Sequence, residues 1–277
     1  MIRRVSLADY IEQDDIVDGL RTGLWLPRKR PEVYPSVATA INILDLETIK
    51  RLIASPERTP AIERFPAKVW IRNQGRRGSC AGYAAAGALS RCRVASGLPF
   101  QMLSGEFIYS MCNGGRDRGS PTEMTWQKIE EVGAAPEGLV QHESYLWRQM
   151  SEAARKAAAA FKAWECFRID SALEMASALL ANFFIVAVVH ASSAYRRVDA
   201  RGVRGGSRGR GNHAIGVQDV RLSPDGKLEF NEVGSWGLQN GIDGYAWLTW
   251  DGHFESTVQG HAFYAISNAS GDLALAV

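Results

Sequence analysis

The run Cys80-Ala-Gly-Tyr-Ala-Ala-Ala-Gly-Ala-Leu-Ser90 is almost bare of large side chains. It predicts a helix that starts near Ser79, just after a turn at residues 75–78, and is packed closely at the centre of the molecule. The remaining chain must then wrap around it. With 277 residues and 46% apolar content, there is enough material for one large domain or for two lobes sharing a cleft. In residues 44–54, Leu46, Ile49, Leu52 and Ile53 recur at helical spacing. Further helices are expected at residues 104–111, 122–132, 151–165 and 171–180. After Ala181 the periodicity changes: Phe184-Ile-Val-Ala-Val-Val-His190 is a short apolar run dense in β-branched residues, as in a buried strand. Residues 213–222 and 228–233 flank the turn Ser223-Pro-Asp-Gly226 and predict a β-hairpin, with residues 245–250 as a third strand. Helices first and strands later define an α+β pattern.

Composition narrows the partners. Thirty-two basic and 30 acidic residues nearly cancel, leaving a formal charge of +2, so no global field draws the chain to nucleic acid or a membrane surface. Asp14, Asp15 and Asp18 interrupt the region where a signal peptide needs a continuous apolar stretch, and no later run approaches a membrane span. A cytoplasmic location is the expectation, with signal-independent export still open. The four thiols Cys80, Cys92, Cys112 and Cys166 are spaced unlike a zinc site or a disulfide framework. No metal or cofactor is expected, and three of the four are expected to be inert core residues. Residues 1–65 hold Pro27, Pro31, Pro35, Pro56 and Pro60 and are expected to form an irregular N-terminal extension. Between Asp199 and Gly211, Arg201, Arg204, Arg208 and Arg210 alternate with glycines, a composition expected of a solvated loop.

One constellation carries chemistry. In Asn73-Gln74-Gly75-Arg-Arg-Gly78-Ser79-Cys80, a glycine-punctuated turn delivers a cysteine to the first turn of a helix. Helix N–H groups and the positive end of the dipole favour the thiolate, and a nearby imidazolium would hold the thiol pKa well below ~8.5. Gln74, across the turn, can bring its amide beside the sulfur and donate to a developing oxyanion together with the Cys80 N–H. Alone, a cysteine at a helix start is more often structural than reactive. The Gln-Gly…Gly-Ser-Cys arrangement shifts that balance.

Asn73-Gln74-Gly75…Gly78-Ser79-Cys80 resembles the Asn-Gln-Gly-x-x-Gly-Ser-Cys signature of papain-like cysteine peptidases. Ser104-Gly-Glu-Phe-Ile-Tyr109, Gly119-Ser120 and Val132-Gly133 are similar to the family's next segments. Asn212-His213-Ala214 resembles its histidine motif, and Ser235-Trp236-Gly237 followed by Asp243-Gly244-Tyr245 resembles the segment after it. The likeness covers roughly residues 66–255, as in a divergent bacterial-type member. It implies a papain-like two-lobe fold over residues 66–277, with a helical lobe at about 74–165 and a β-rich lobe at about 166–277. Residues 1–65 would be a prosegment-like cover or, equally, a packing extension. By the same resemblance Cys80 is the nucleophile, His213 the base, and Gln74 with the Cys80 N–H the oxyanion site. Gly78, Ser79, Gly119, Asn212 and Trp236 line the substrate cleft, with Trp236 shielding the Cys–His pair. Cys112-Asn-Gly-Gly115 is a second way to align the glycine motif placed at Gly119.

Departures from the pattern temper this reading. Gly234 stands where the family has the asparagine that orients the histidine. Asn231 would face the other side of its strand, and Glu232 lies ~7 Å along the same face. Ala81 replaces the usual tryptophan, and Arg77 stands where the cleft disulfide would begin. Three functions stay in competition: a peptidase cleaving peptide or isopeptide bonds, a silent module binding peptides or a protein partner, and a deamidase or acyltransferase using the same pair. His142, His190, His253 and His261 are assigned no role. Oligomeric state is not legible.

Overall fold

In a computed structural model describing residues 4–13, 15–162 and 165–267, the small-residue run forms the helix Cys80–Ala95, with nearly every side chain buried. Its small residues let other backbone come close. A Cβ on Gly82 would lie 2.4 Å from the Gly105 carbonyl oxygen, and one on Gly105 would meet the Tyr83 ring at 2.4 Å, so the helix Gly105–Cys112 crosses at backbone distance. The helix Thr122–Glu131 completes this lobe.

The other lobe is a six-stranded antiparallel sheet of β1 (Cys166–Ile169), β2 (Phe184–Val189), β3 (His213–Leu222), β4 (Leu228–Val233), β5 (Tyr245–Thr249) and β6 (Phe263–Ile266). Their order across the sheet is β1-β6-β2-β3-β4-β5. All six residues of β2 are buried because its two faces are covered, one by the central helix, which explains the unbroken apolar run. The hairpin β3–β4 pairs Leu222 with Leu228 around the expected turn and carries a register shift between Val217 and Asp219. This α+β two-lobe arrangement is the expected one.

Several details differ from expectation. The helix expected at residues 151–165 is only Glu152–Ala158. Gly133 passes so close to the Ala158 carbonyl that a Cβ there would lie 1.8 Å from its oxygen, and the Ala134 N–H donates to the Phe161 carbonyl at 2.8 Å, using backbone that a longer helix would need internally. Residues 163–164 of that segment lie outside the described residues. The first 65 residues add Leu24, Val33, Tyr34, Val37, Ile49 and Phe65 to the main core.

The arginine-glycine loop is not uniformly solvated. Arg204 is fully buried and its guanidinium pairs with both carboxylate oxygens of Glu232 on β4, donates to the Tyr195 carbonyl at 3.1 Å, and stacks 4.5 Å from the Tyr195 ring. Composition misjudges this residue because a guanidinium enters a core once a carboxylate matches its fork. Arg208 and Arg210 are exposed as expected. Among the described residues no helix is long and apolar enough to cross a membrane.

Candidate active site

The cleft is built where the turn before Cys80 is laced to the far lobe. The Gln74 N–H donates to the Ser235 carbonyl at 2.8 Å, the Gly237 N–H donates to the Arg72 carbonyl at 2.9 Å, and Asn73 bridges Trp236. Ser235 Oγ donates to Gln74 Oε1 at 2.5 Å, which fixes the amide so that its Nε2 donates to the Arg77 carbonyl of the same turn at 2.6 Å and to the Arg21 carbonyl at 3.1 Å. Cys80 opens the central helix. Ser79 is its N-cap by position but not by bonding: its side chain caps nothing, and its buried Oγ has no partner among the described residues.

His213 begins β3. Its neighbour Ala214 directs its N–H at Cys80 Sγ, 3.5 Å away, so the two sequence motifs meet. The Trp236 ring stacks on the His213 ring at 4.2 Å and 18°. Asn212 anchors the strand entry, accepting from the Ala191 N–H at 2.7 Å and donating to the Ala191 carbonyl at 3.1 Å. Among the described residues neither nitrogen of the buried His213 ring makes a hydrogen bond. At Gly234, a Cβ would lie 3.0 Å from Asn240 Nδ2 and 3.1 Å from Glu232 Oε1, so those side chains fill the space an asparagine would need.

Residues 15–25 run through this cleft. Cys80 Sγ donates to the Thr22 carbonyl at 2.6 Å, and the Thr22 backbone also lies beside His213. Gln74 Nε2 donates to the Arg21 carbonyl at 3.1 Å. Leu24 pairs with Ser120 as a parallel bridge, with the Ser120 N–H donating to the Gly23 carbonyl at 3.0 Å. Gly23, at φ +69°, passes so near Gly78 that a Cβ would lie 2.4 Å from the Gly78 Cα; a Cβ on Gly119 would lie 1.9 Å from the Gly23 oxygen. Asp18 and Asp15 fasten the far side, through Ser193 Oγ at 3.0 Å and Asn212 Nδ2 at 3.3 Å. Cys80, Gln74, Gly78, Gly119 and Asn212 thus all meet residues 15–23, and Trp236 stacks on the His213 ring, whereas Ser79 turns its side chain away from solvent.

This covering reverses the electrostatics expected of the cysteine. Burial pushes the thiol up to about 12, against the opposing N–H groups of Ala214, Ala81 and Cys80. Burial, and then the Arg204 charge, push His213 down to about 3, with only a small counter-effect from the Thr22 backbone. In the covered cleft both groups are therefore neutral near pH 7.

Residues that the motifs did not flag complete the site. Asp117 accepts from the Gly78 N–H at 3.1 Å, Tyr109 Oη at 3.0 Å, Arg77 Nη1 at 3.0 Å and Arg21 Nη1 at 3.1 Å. Tyr109 Oη in turn accepts from the Gly119 N–H at 3.0 Å. An ion pair, Arg77–Asp117, stands where Arg77 replaces the start of the family's disulfide. Nothing in Gly115-Arg-Asp-Arg-Gly119 signals this, since the partners come from three other segments, at residues 21, 77–78 and 109. Cys92, Cys112 and Cys166 are buried, and none of them forms a disulfide among the described residues. Among the described residues no three of His, Cys, Asp and Glu converge as a metal site requires.

No family model matches the chain, and no curated protein matches it. Solved structures do. Xylellain, a cysteine protease from Xylella fastidiosa, superposes with a TM-score of 0.61 at 21% identity over 88% of this chain and 98% of its own. Procathepsin B S9 from Trypanosoma congolense gives 0.63 at 15% identity over 88% of this chain and 85% of its own. Bromelain protease from Ananas comosus gives 0.57 at 18% identity over 73% of this chain and 93% of its own. The chain has the papain-like fold of these cysteine proteases.

Proposed function

We propose that this chain is a cysteine peptidase whose nucleophile is Cys80, whose base is His213 and whose oxyanion site is Gln74 with the Cys80 N–H. The observation that carries the reading is that backbone of this chain already sits against these groups: consecutive carbonyls of Arg21 and Thr22 meet Gln74 Nε2 and Cys80 Sγ. A surface that accepts backbone carbonyls at a sulfur and an amide donor suits acyl transfer from a peptide. In catalysis the thiolate attacks the carbonyl carbon, Gln74 Nε2 stabilises the oxyanion, and His213 returns the proton to the leaving amine. Water then releases the acyl group.

Residues 15–25 act in this reading as a cover that keeps the groove closed and the Cys–His pair uncharged. Residues 26–65 are the packing extension. The likeness to cysteine proteases supports the fold on which this rests. The test is hydrolysis of casein or a fluorogenic peptide by the chain carrying Gly23→Ala, whose added Cβ displaces the cover, compared with the same chain carrying Cys80→Ala as the variant. Hydrolysis that disappears in the variant supports the reading; hydrolysis that persists overturns it. Altered mass of a target without backbone cleavage would favour deamidation or acyl transfer by the same residues.

A further inference from the structure

Arg21 is held at both ends. Its carbonyl accepts from Gln74 Nε2 at 3.1 Å, and its guanidinium Nη1 donates to Asp117 Oδ2 at 3.1 Å and to the Asp117 carbonyl at 2.8 Å. The Asp117 carboxylate is mostly buried, and its position is fixed by the Gly78 N–H, Tyr109 Oη and Arg77. When Arg21 leaves, Arg77 stays on Oδ2 from the other side, itself anchored by the Glu143 carbonyl at 3.0 Å and stacked 4.9 Å from the Tyr145 ring. The second acceptor direction of Oδ2 and the Asp117 carbonyl oxygen are then left facing the groove. Two outward-facing acceptor oxygens on a carboxylate-bearing residue suit a cationic donor.

We propose that Asp117 is a specificity-determining residue that selects an arginine or lysine side chain on the residue whose carbonyl enters the Gln74 site. This rests on the peptidase reading above and names its substrate class: peptides whose acyl residue is basic. Arg21 occupies in the closed chain the place that a substrate's basic residue takes in the open one.

The test uses three peptidyl chloromethyl ketones that differ only in the acyl residue, which is arginine, norleucine or glutamate. The Cys80 sulfur displaces chloride to form a thioether, and peptide mapping measures the second-order rate. The full chain and its Gly23→Ala variant are both assayed. The arginine probe is expected to react at least about tenfold faster than norleucine, and glutamate slowest, in line with a partly buried charge-assisted hydrogen bond. In Asp117→Asn, which keeps an acceptor for Gly78 and Tyr109, the arginine-to-norleucine ratio is expected to fall to within about threefold. Equal rates at Asp117, or a preference for glutamate, overturn the proposal while leaving the peptidase reading standing. Failure of all three probes to alkylate Cys80 overturns the peptidase reading and the proposal with it. If Asp117→Asn does not fold, the three-probe comparison at Asp117 still decides.

Discussion

Acidification is expected to open the cover formed by residues 15–25. Burial, and then the Arg204 charge, hold His213 down at about 3 against an ordinary value of 6.5, and opening the cover removes part of that burial, so the closed state binds fewer protons than the open one. The contribution of His213 to closure is therefore complete above about pH 6.5 and is lost progressively as pH falls toward 3. Cys80 works in the opposite sense: raised from 9.0 to about 12, it favours closure below about pH 9 and ceases to do so as pH climbs toward 12. Closure is thus strongest between these limits. At about pH 4.5, two units below an imidazole returned fully to its ordinary value, His213 should weaken closure by at most roughly a hundredfold, or about 2.7 kcal/mol. Hydrogen exchange reads this directly at the Trp25 amide, which faces the Ser120 carbonyl, and the Ser120 amide, which donates to the Gly23 carbonyl. After correction for intrinsic acid dependence, those amides should lose protection between pH 7 and 4.5 while amides of Cys80–Ala95 keep theirs. Burial also lowers His261, to about 4, and lowers His253, so His213→Asn serves as the control that isolates His213. Protection that does not change with pH, or an equal acid response in His213→Asn, refutes the reasoning.

Other perturbations follow from the same geometry. Gly23→Ala places a Cβ 2.4 Å from the Gly78 Cα at φ +69°, so the cover should shift outward and iodoacetamide should alkylate Cys80 roughly tenfold faster or more. Arg204→Met leaves Glu232 buried and unpaired and should lower unfolding stability in denaturant melts by about 3–5 kcal/mol; adding Glu232→Leu should recover part of the loss. Gln74→Ala should lower kcat on a fluorogenic peptide by roughly a hundredfold with little change in KM. Gly234→Asn should cost about 1 kcal/mol or more in thermal melts, because Asn240 and Glu232 already fill the space.

Elements whose signal is local were legible in the sequence. The turn at Ser223–Gly226 and its flanking strands set the β3–β4 hairpin, and the β-branched run at 184–189 could only be an interior strand. The cleft was legible as four motifs in order, although their convergence required the fold. Strands β1 and β6 were not read, because four residues each give too little periodicity to separate strand from connection. Arg204 was misjudged because its partner Glu232 is remote in sequence, and a charge's burial depends on what meets it. The same holds for Asp117, Arg21 and Thr22, whose roles come from contacts between distant segments. The thiol's shift is not legible for a related reason: helix-end stabilisation can be inferred locally, whereas desolvation by segments remote in sequence cannot.

The most direct measurement is the reaction of the epoxide E-64 with the Gly23→Ala chain, with and without His213→Ala, followed by peptide mapping of all four thiols. The account predicts one adduct, on Cys80, formed at least roughly tenfold more slowly when the imidazole is removed. An adduct spread over several cysteines, or a Cys80 rate indifferent to His213, would contradict it.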